Sequence, residues 1–198
     1  MRSHIAARLF LVAMLSLIPS LAAAQMHSEL SGNRMVTFGI GGGVSVPVSD
    51  AKDAFKNGVN GQGFLGFNLG FLRPRLDFTF SSFDFDDAKV ATPGTGQIMA
   101  GLANLQMYLI QSGPIRPYIV AGVGAYNIKT ETDATALLEA TESSDTKFGV
   151  NGGAGLVIRL GSAVSLYAEG RVDNVYTDKG FIDTDQIQVV PVSFGLVF

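Results

Sequence analysis

The sequence predicts an all-β fold: an eight-stranded antiparallel up-and-down transmembrane β-barrel. Three observations predict it. Apolar residues recur at every second position in eight separate segments, which is the period of a strand with one apolar face. The connections between those segments alternate between short and long. The mean hydropathy is positive, +0.30, yet no stretch after the first two dozen residues reaches the ~18 consecutive apolar residues of a membrane helix. Apolar side chains at alternate positions, facing lipid, reconcile the last observation with the first.

The first segment, 35–46, puts Val36, Phe38, Ile40, Val44 and Val46 on one face and Thr37, Gly39, Gly41, Gly43 and Ser45 on the other. The second, 61–72, sets Leu65, Phe67, Leu69 and Phe71 against Gly66, Asn68 and Gly70. The third, 75–83, sets Leu76, Phe78 and Phe80 against Arg75, Asp77, Thr79 and Ser81. The fourth, 97–110, sets Met99, Ala103, Leu105, Met107 and Leu109 against Asn104, Gln106 and Tyr108. In the fifth, 117–129, Ile119, Ala121, Val123 and Ala125 form the apolar face, opposite Gly122 and Gly124. The sixth, 147–160, sets Phe148, Val150, Ala154, Leu156, Ile158 and Leu160 against Asn151, Gly153, Gly155 and Arg159. The seventh, 164–176, sets Val164, Leu166, Ala168 and Val172 against Ser165, Glu169, Arg171 and Asp173. The eighth, 189–198, alternates through Val190, Val192, Phe194 and Leu196 to Phe198, the last residue.

Short connections are expected at 73–74, 111–116 and 161–163, and long ones at 47–60, 84–96, 130–146 and 177–186. Short turns at one end and long loops at the other are the pattern of transmembrane barrels. Each segment has the roughly 9–11 residues that a tilted strand needs to cross a bilayer. At eight strands the interior is filled by side chains.

Residues 1–24 carry Arg2 and Arg8, then an apolar run, then Ala22, Ala23 and Ala24. That is the layout of a secretory signal, cleaved between Ala24 and Gln25. Residues 25–34 are then a short lead and 35–198 the barrel. Taking 24 from 198 leaves 174 residues, with 12 basic against 17 acidic side chains and a formal charge of −5. The basic residues are scattered, so no nucleic-acid partner is expected. There is no cysteine, so no disulfide holds the fold. All 24 glycines lie after residue 24, about twice the usual share of roughly 7%.

Lipid leaves no water to satisfy stray backbone groups, so the last strand must pair with the first along its whole length. Inward glycines make room in a narrow lumen. The lumen is expected to hold a charge network of Arg75, Asp77, Arg159, Glu169, Arg171 and Asp173, three cations against three anions, which lets it neutralise itself. Pro191 removes a ladder donor and is expected near the outer rim or at a bulge. A soluble exported barrel of lipocalin type is the alternative, but it gives no role to a free C-terminal Phe.

With the strands placed, 116–129, 148–160, 164–176 and the closing "VPVSFGLVF" resemble small eight-stranded outer-membrane proteins, the relatives of the outer membrane protein A barrel domain. The resemblance covers nearly all of 35–198. It implies the outer membrane of a Gram-negative-type cell, with both termini in the periplasm, and a monomer among lipid and lipopolysaccharide. It also implies that Phe198, supported by Phe194 and Leu196, is a signal read by the barrel assembly machinery. Without Trp, the interfacial aromatics are expected to be Tyr126, Tyr176, Phe83 and Phe85 at one end and Tyr118 and Phe198 at the other.

Some barrels of this kind modify lipid A through Ser or Asp with His. Here His4 falls in the leader and His27 in the lead, which makes a lipid A-modifying enzyme the least favoured reading. Glu169 and Asp173 flank Arg171 on one face, as an ion-pair network rather than a catalytic carboxylate pair. The acidic stretches 83–89 and 183–185 read as solvated loops, and no catalytic residue, metal or cofactor is expected. The acidic segment 130–145 reads as a contact surface for a host ligand or as a solvated loop. The leading function is a non-enzymatic envelope protein with a structural and surface-contact role, and the alternative is a narrow gated porin-like channel.

Overall fold

The computed structural model describes residues 35–48, 56–84, 94–132, 141–161, 163–176 and 186–198. Eight strands follow one another: β1 (Val36–Val48), β2 (Gly58–Phe67), β3 (Leu72–Asp84), β4 (Gly94–Tyr108), β5 (Ile115–Thr132), β6 (Thr141–Arg159), β7 (Ser165–Tyr176) and β8 (Gln186–Val197). Each pairs antiparallel with its neighbour in sequence, and β8 returns to β1, so the sheet closes. The closing register runs from Gly39 opposite Val197 to Val48 opposite Gln188. It continues to the last residue: Phe38 N–H donates to Phe198 O at 3.2 Å and Phe198 N–H to Phe38 O at 2.8 Å. The Phe38 and Phe198 rings stack with centroids 4.8 Å apart.

The alternation places polar and small residues in the lumen and apolar ones outside. Phe78, Met99, Leu105, Val123, Phe148 and Phe194 are exposed on the outer wall. They form the apolar band that a lipid-facing barrel needs, because there is no water inside a bilayer to reward burying them.

Several expectations need correction. The β2–β3 turn is at 68–71, not 73–74, and Arg73 and Pro74 belong to β3. Leu69 N–H donates to Leu72 O at 2.9 Å, and Gly70 sits between them at φ 80°, where a two-residue hairpin turn demands a positive φ that only glycine adopts cheaply. The strands beside the 130–145 segment are longer than expected, with Thr132 paired to Thr141. Only 133–140 then lies outside the described residues, together with 85–89 and 183–185, so the acidic stretches and Phe85 fall wholly or largely outside the description.

Tyr118, Tyr126 and Phe83 are not interfacial. All three are buried in the lumen. Tyr118 lies over Gly155, Tyr126 over Gly149, and Phe64 over Gly39. A ring covering a glycine on the next strand buries apolar surface and protects exposed backbone. Tyr176 stays outside, stacked on Phe148 with centroids 6.4 Å apart.

Pro191 is neither at the rim nor at a bulge. It is the sixth residue of β8 and pairs with Ser45 of β1. On its other side the β7–β8 ladder runs through Gly170 opposite Val192 and resumes in the same register at Asp173 opposite Val189. The missing N–H interrupts pairing to β7 without shifting it.

At the loop end β4 pairs with β5 up to Gly94 opposite Thr132, and among the described residues β6 runs from Thr141 to Phe148 before its first pairing with β7 at Gly149. Here the outer face turns polar, and Asn127 Nδ2 donates to Ser144 Oγ at 3.1 Å and to Thr146 Oγ1 at 3.0 Å.

Candidate functional site

The lumen is filled in layers. Toward the turn end lie Phe64, Tyr108, Tyr118, Val120, Val157, Tyr167 and Val197. Toward the loop end lie Ala100, Leu102, Tyr126 and Val175, with Ile98, Ile128 and Ile187 packed on them. Charged side chains separate the two apolar clusters.

Arg75, on β3, is the centre of this layer and is 2% exposed. Its Nε donates to Asp77 Oδ1 at 2.7 Å and its Nη2 to Asp77 Oδ2 at 3.1 Å. Across the lumen, Nη1 donates to Glu169 Oε2 at 2.8 Å and Nη2 to Glu169 Oε1 at 3.0 Å. The guanidinium thus engages two carboxylates in forked geometry, and it also stacks 4.2 Å from the Phe64 centroid. Tyr118 Oη donates to Glu169 Oε2 at 2.8 Å. Asn104 Nδ2 donates to Asp77 Oδ2.

Arg171, on β7, links the same two acids to Asp173. Its Nη1 is 3.4 Å from Asp77 Oδ2, and its Nε is 3.6 Å from Glu169 Oε1 and 3.9 Å from Asp173 Oδ1. All five residues are buried. Five of the six charged residues singled out from the sequence therefore meet. The sixth, Arg159, does not: it is exposed at the turn end of β6. Without it the cluster has two cations against three carboxylates, and Arg73, buried apart from the cluster toward the turn end, brings the buried charges to three against three. Arg159 has the right parity but lies past Val157, where the lumen face ends.

A second polar column lines the wall made by β1, β2, β3 and β8. Ser45 and Ser81 hydroxyls are 3.0 Å apart, and Ser193 Oγ donates to Asn60 Oδ1 at 2.8 Å. Gln62 Nε2 donates to Tyr167 Oη at 2.8 Å. A water-sized cavity opens between Asn60, Gln62, Arg171, Asp173, Pro191 and Ser193, beside the interrupted ladder.

Two features went unread in the sequence. The lumen aromatics are one, although Tyr118 and Tyr126 share the parity of Gly122 and Gly124, and Phe83 that of Arg75 and Asp77. The other is Arg73, hidden by the misplaced turn. Among the described residues no cluster of His, Asp or Glu has the spacing to hold a metal ion.

The model of the outer membrane protein beta-barrel domain family matches residues 10–198. The crystal structure of Neisserial surface protein A aligns with a TM-score of 0.60 at 15% identity, covering 84% of this chain and 96% of that one. A major outer membrane protein from Thermus thermophilus aligns with a TM-score of 0.60 at 14% identity, covering 83% and 99%. At such identities the likeness is one of fold. No curated protein sequence matches the chain.

Proposed function

The chain belongs to the outer membrane protein beta-barrel domain family, and from that premise we propose that it is a non-enzymatic outer-membrane barrel with a sealed lumen, working through contacts at its loop end. One observation carries this reading: Arg75 bonds Asp77 and Glu169 at once across the lumen. Opening a path would strip a buried guanidinium of both carboxylates, where the surrounding apolar layers offer no substitute.

Residues 1–24 are the export leader, cleaved between Ala24 and Gln25, and 25–34 form the lead. β1 begins and β8 ends at the turn end, so the turn end is periplasmic and the long loops face outward, toward lipopolysaccharide. The β5–β6 hairpin, with the 130–145 segment at its tip, is the surface offered to a host ligand. The barrel is a monomer.

Single-channel recording on the purified protein in planar bilayers tests the seal. The expected trace is silent. Steady unitary conductance that changes in Arg171→Ala would overturn the sealed-lumen reading in favour of a narrow gated channel.

The C-terminal Phe194, Leu196 and Phe198 are the signal for the assembly machinery. Phe198→Ala removes a ring stack worth about 1 kcal/mol, so refolding into vesicles is expected to change little. Heat-modifiable folded protein in cells is expected to fall much further. Equal losses in both settings would assign Phe198 to packing alone.

A further inference from the structure

At the turn end of the lumen two arginines close on one tyrosine ring. Arg73 Cζ is 5.1 Å and Arg116 Cζ 4.9 Å from the Tyr108 centroid. Arg73 is 4% exposed. Its Nε donates to Asn68 Oδ1 at 2.7 Å, and its stem lies against Gly66. Arg116 Nε and Tyr108 Oη are both buried and have no hydrogen-bond partner. Among the described residues, neither guanidinium has a carboxylate partner.

This arrangement is unbalanced. A ring attracts a cation to its face but neutralises none of its charge. The lumen acids are already engaged by Arg75 and Arg171. The turns 68–71, 109–114 and 160–164 contain no Asp or Glu. Arg159, exposed on β6, adds a third cation to the same end. Two gathered cations and two unused buried donors make the complement of an oxyanion, which would accept those hydrogen bonds and offset the repulsion.

We propose that Arg73, Tyr108 and Arg116 form an anion site at the turn-end mouth of the lumen that takes the phosphate of an anionic phospholipid from the adjoining leaflet. A lipid is favoured over a free phosphate because Leu109, Ile110 and Ile115 are exposed beside the site, where acyl chains would run along the outer wall. The inference requires only a membrane-embedded barrel, so a conducting lumen would leave it standing.

Native mass spectrometry of the protein released from vesicles of phosphatidylcholine and phosphatidylglycerol tests it. One phosphatidylglycerol is expected to stay bound, preferred over phosphatidylcholine about tenfold, because phosphatidylcholine offers the same phosphate with a choline cation that the two arginines repel. Arg73→Gln/Arg116→Gln is expected to lose that preference. Displacement by millimolar inorganic phosphate would assign the site to phosphate as such; retention would assign it to the lipid headgroup. Arg116→Gln alone spares the fold, since the Arg116 Nε donor is unused. It is expected to hold or raise the unfolding midpoint in phosphatidylcholine and to lower it in phosphatidylglycerol. The same shift in both lipids, or an undiminished lipid preference in the double variant, would overturn the proposal.

Discussion

Arg75→Met is expected to lower the stability of the folded barrel by about 3–5 kcal/mol, or to prevent folding altogether, because removing one partner leaves buried charges uncompensated. Asp77 and Glu169 are each about 1% exposed and lose their closest cation together. Arg171 reaches them only at 3.4 and 3.6 Å, too far to replace two forked contacts. The measurement is the urea midpoint in vesicles, followed by tyrosine fluorescence and by gel migration with and without heating. Adding Asp77→Asn and Glu169→Gln to the variant is expected to recover more than half of the loss, since the uncompensated charges go with the missing cation. A single variant within about 1 kcal/mol of the parent, inside the range of an exposed ion pair, would show that water reaches the layer and that the plug is not sealed.

Gly43→Ala is expected to cost about 1–3 kcal/mol, the range for forcing volume into a packed interior, while Gly170→Ala is expected to be neutral or slightly stabilising. A Cβ at Gly43 would run into Val192 O and stand 3.0 Å from Ser193 Cα, both backbone atoms of β8. Side chains can turn aside, but a paired strand cannot without opening the β1–β8 seam. A Cβ at Gly170 would meet nothing within 4 Å. Equal effects in matched unfolding curves would mean that both changes act on the unfolded chain rather than on closure.

The strands were legible because lipid enforces period 2 so strictly: one outward polar residue in the band is costly, so parity survives along every segment. The charge layer was legible for the same reason. Arg75, Asp77, Glu169, Arg171 and Asp173 stand out as polar residues sharing a face in otherwise apolar strands. The β2–β3 turn misled because Leu69 and Phe71 extend the alternation across it, and Pro74 resembles a turn residue. Pro74 is tolerated within β3, while Gly70 makes the turn. The ring-over-glycine pairs needed more than parity. That Tyr118 meets Gly155, and not another glycine, depends on the β5–β6 register, which the tilt of the whole barrel sets and no single segment encodes. Arg159 failed for a related reason, since parity says which way a residue points but not whether the wall continues behind it.

The β5–β6 pairing carries the described sheet well past the charged layer toward the loop end. Among the described residues, the eight of β6 that precede its first pairing with β7 extend about 26 Å along the strand at roughly 3.3 Å per residue. β5 and β6 also hold Tyr118 over Gly155 beside the charged layer. The proposed contact surface and the proposed seal beneath it thus share one pair of strands.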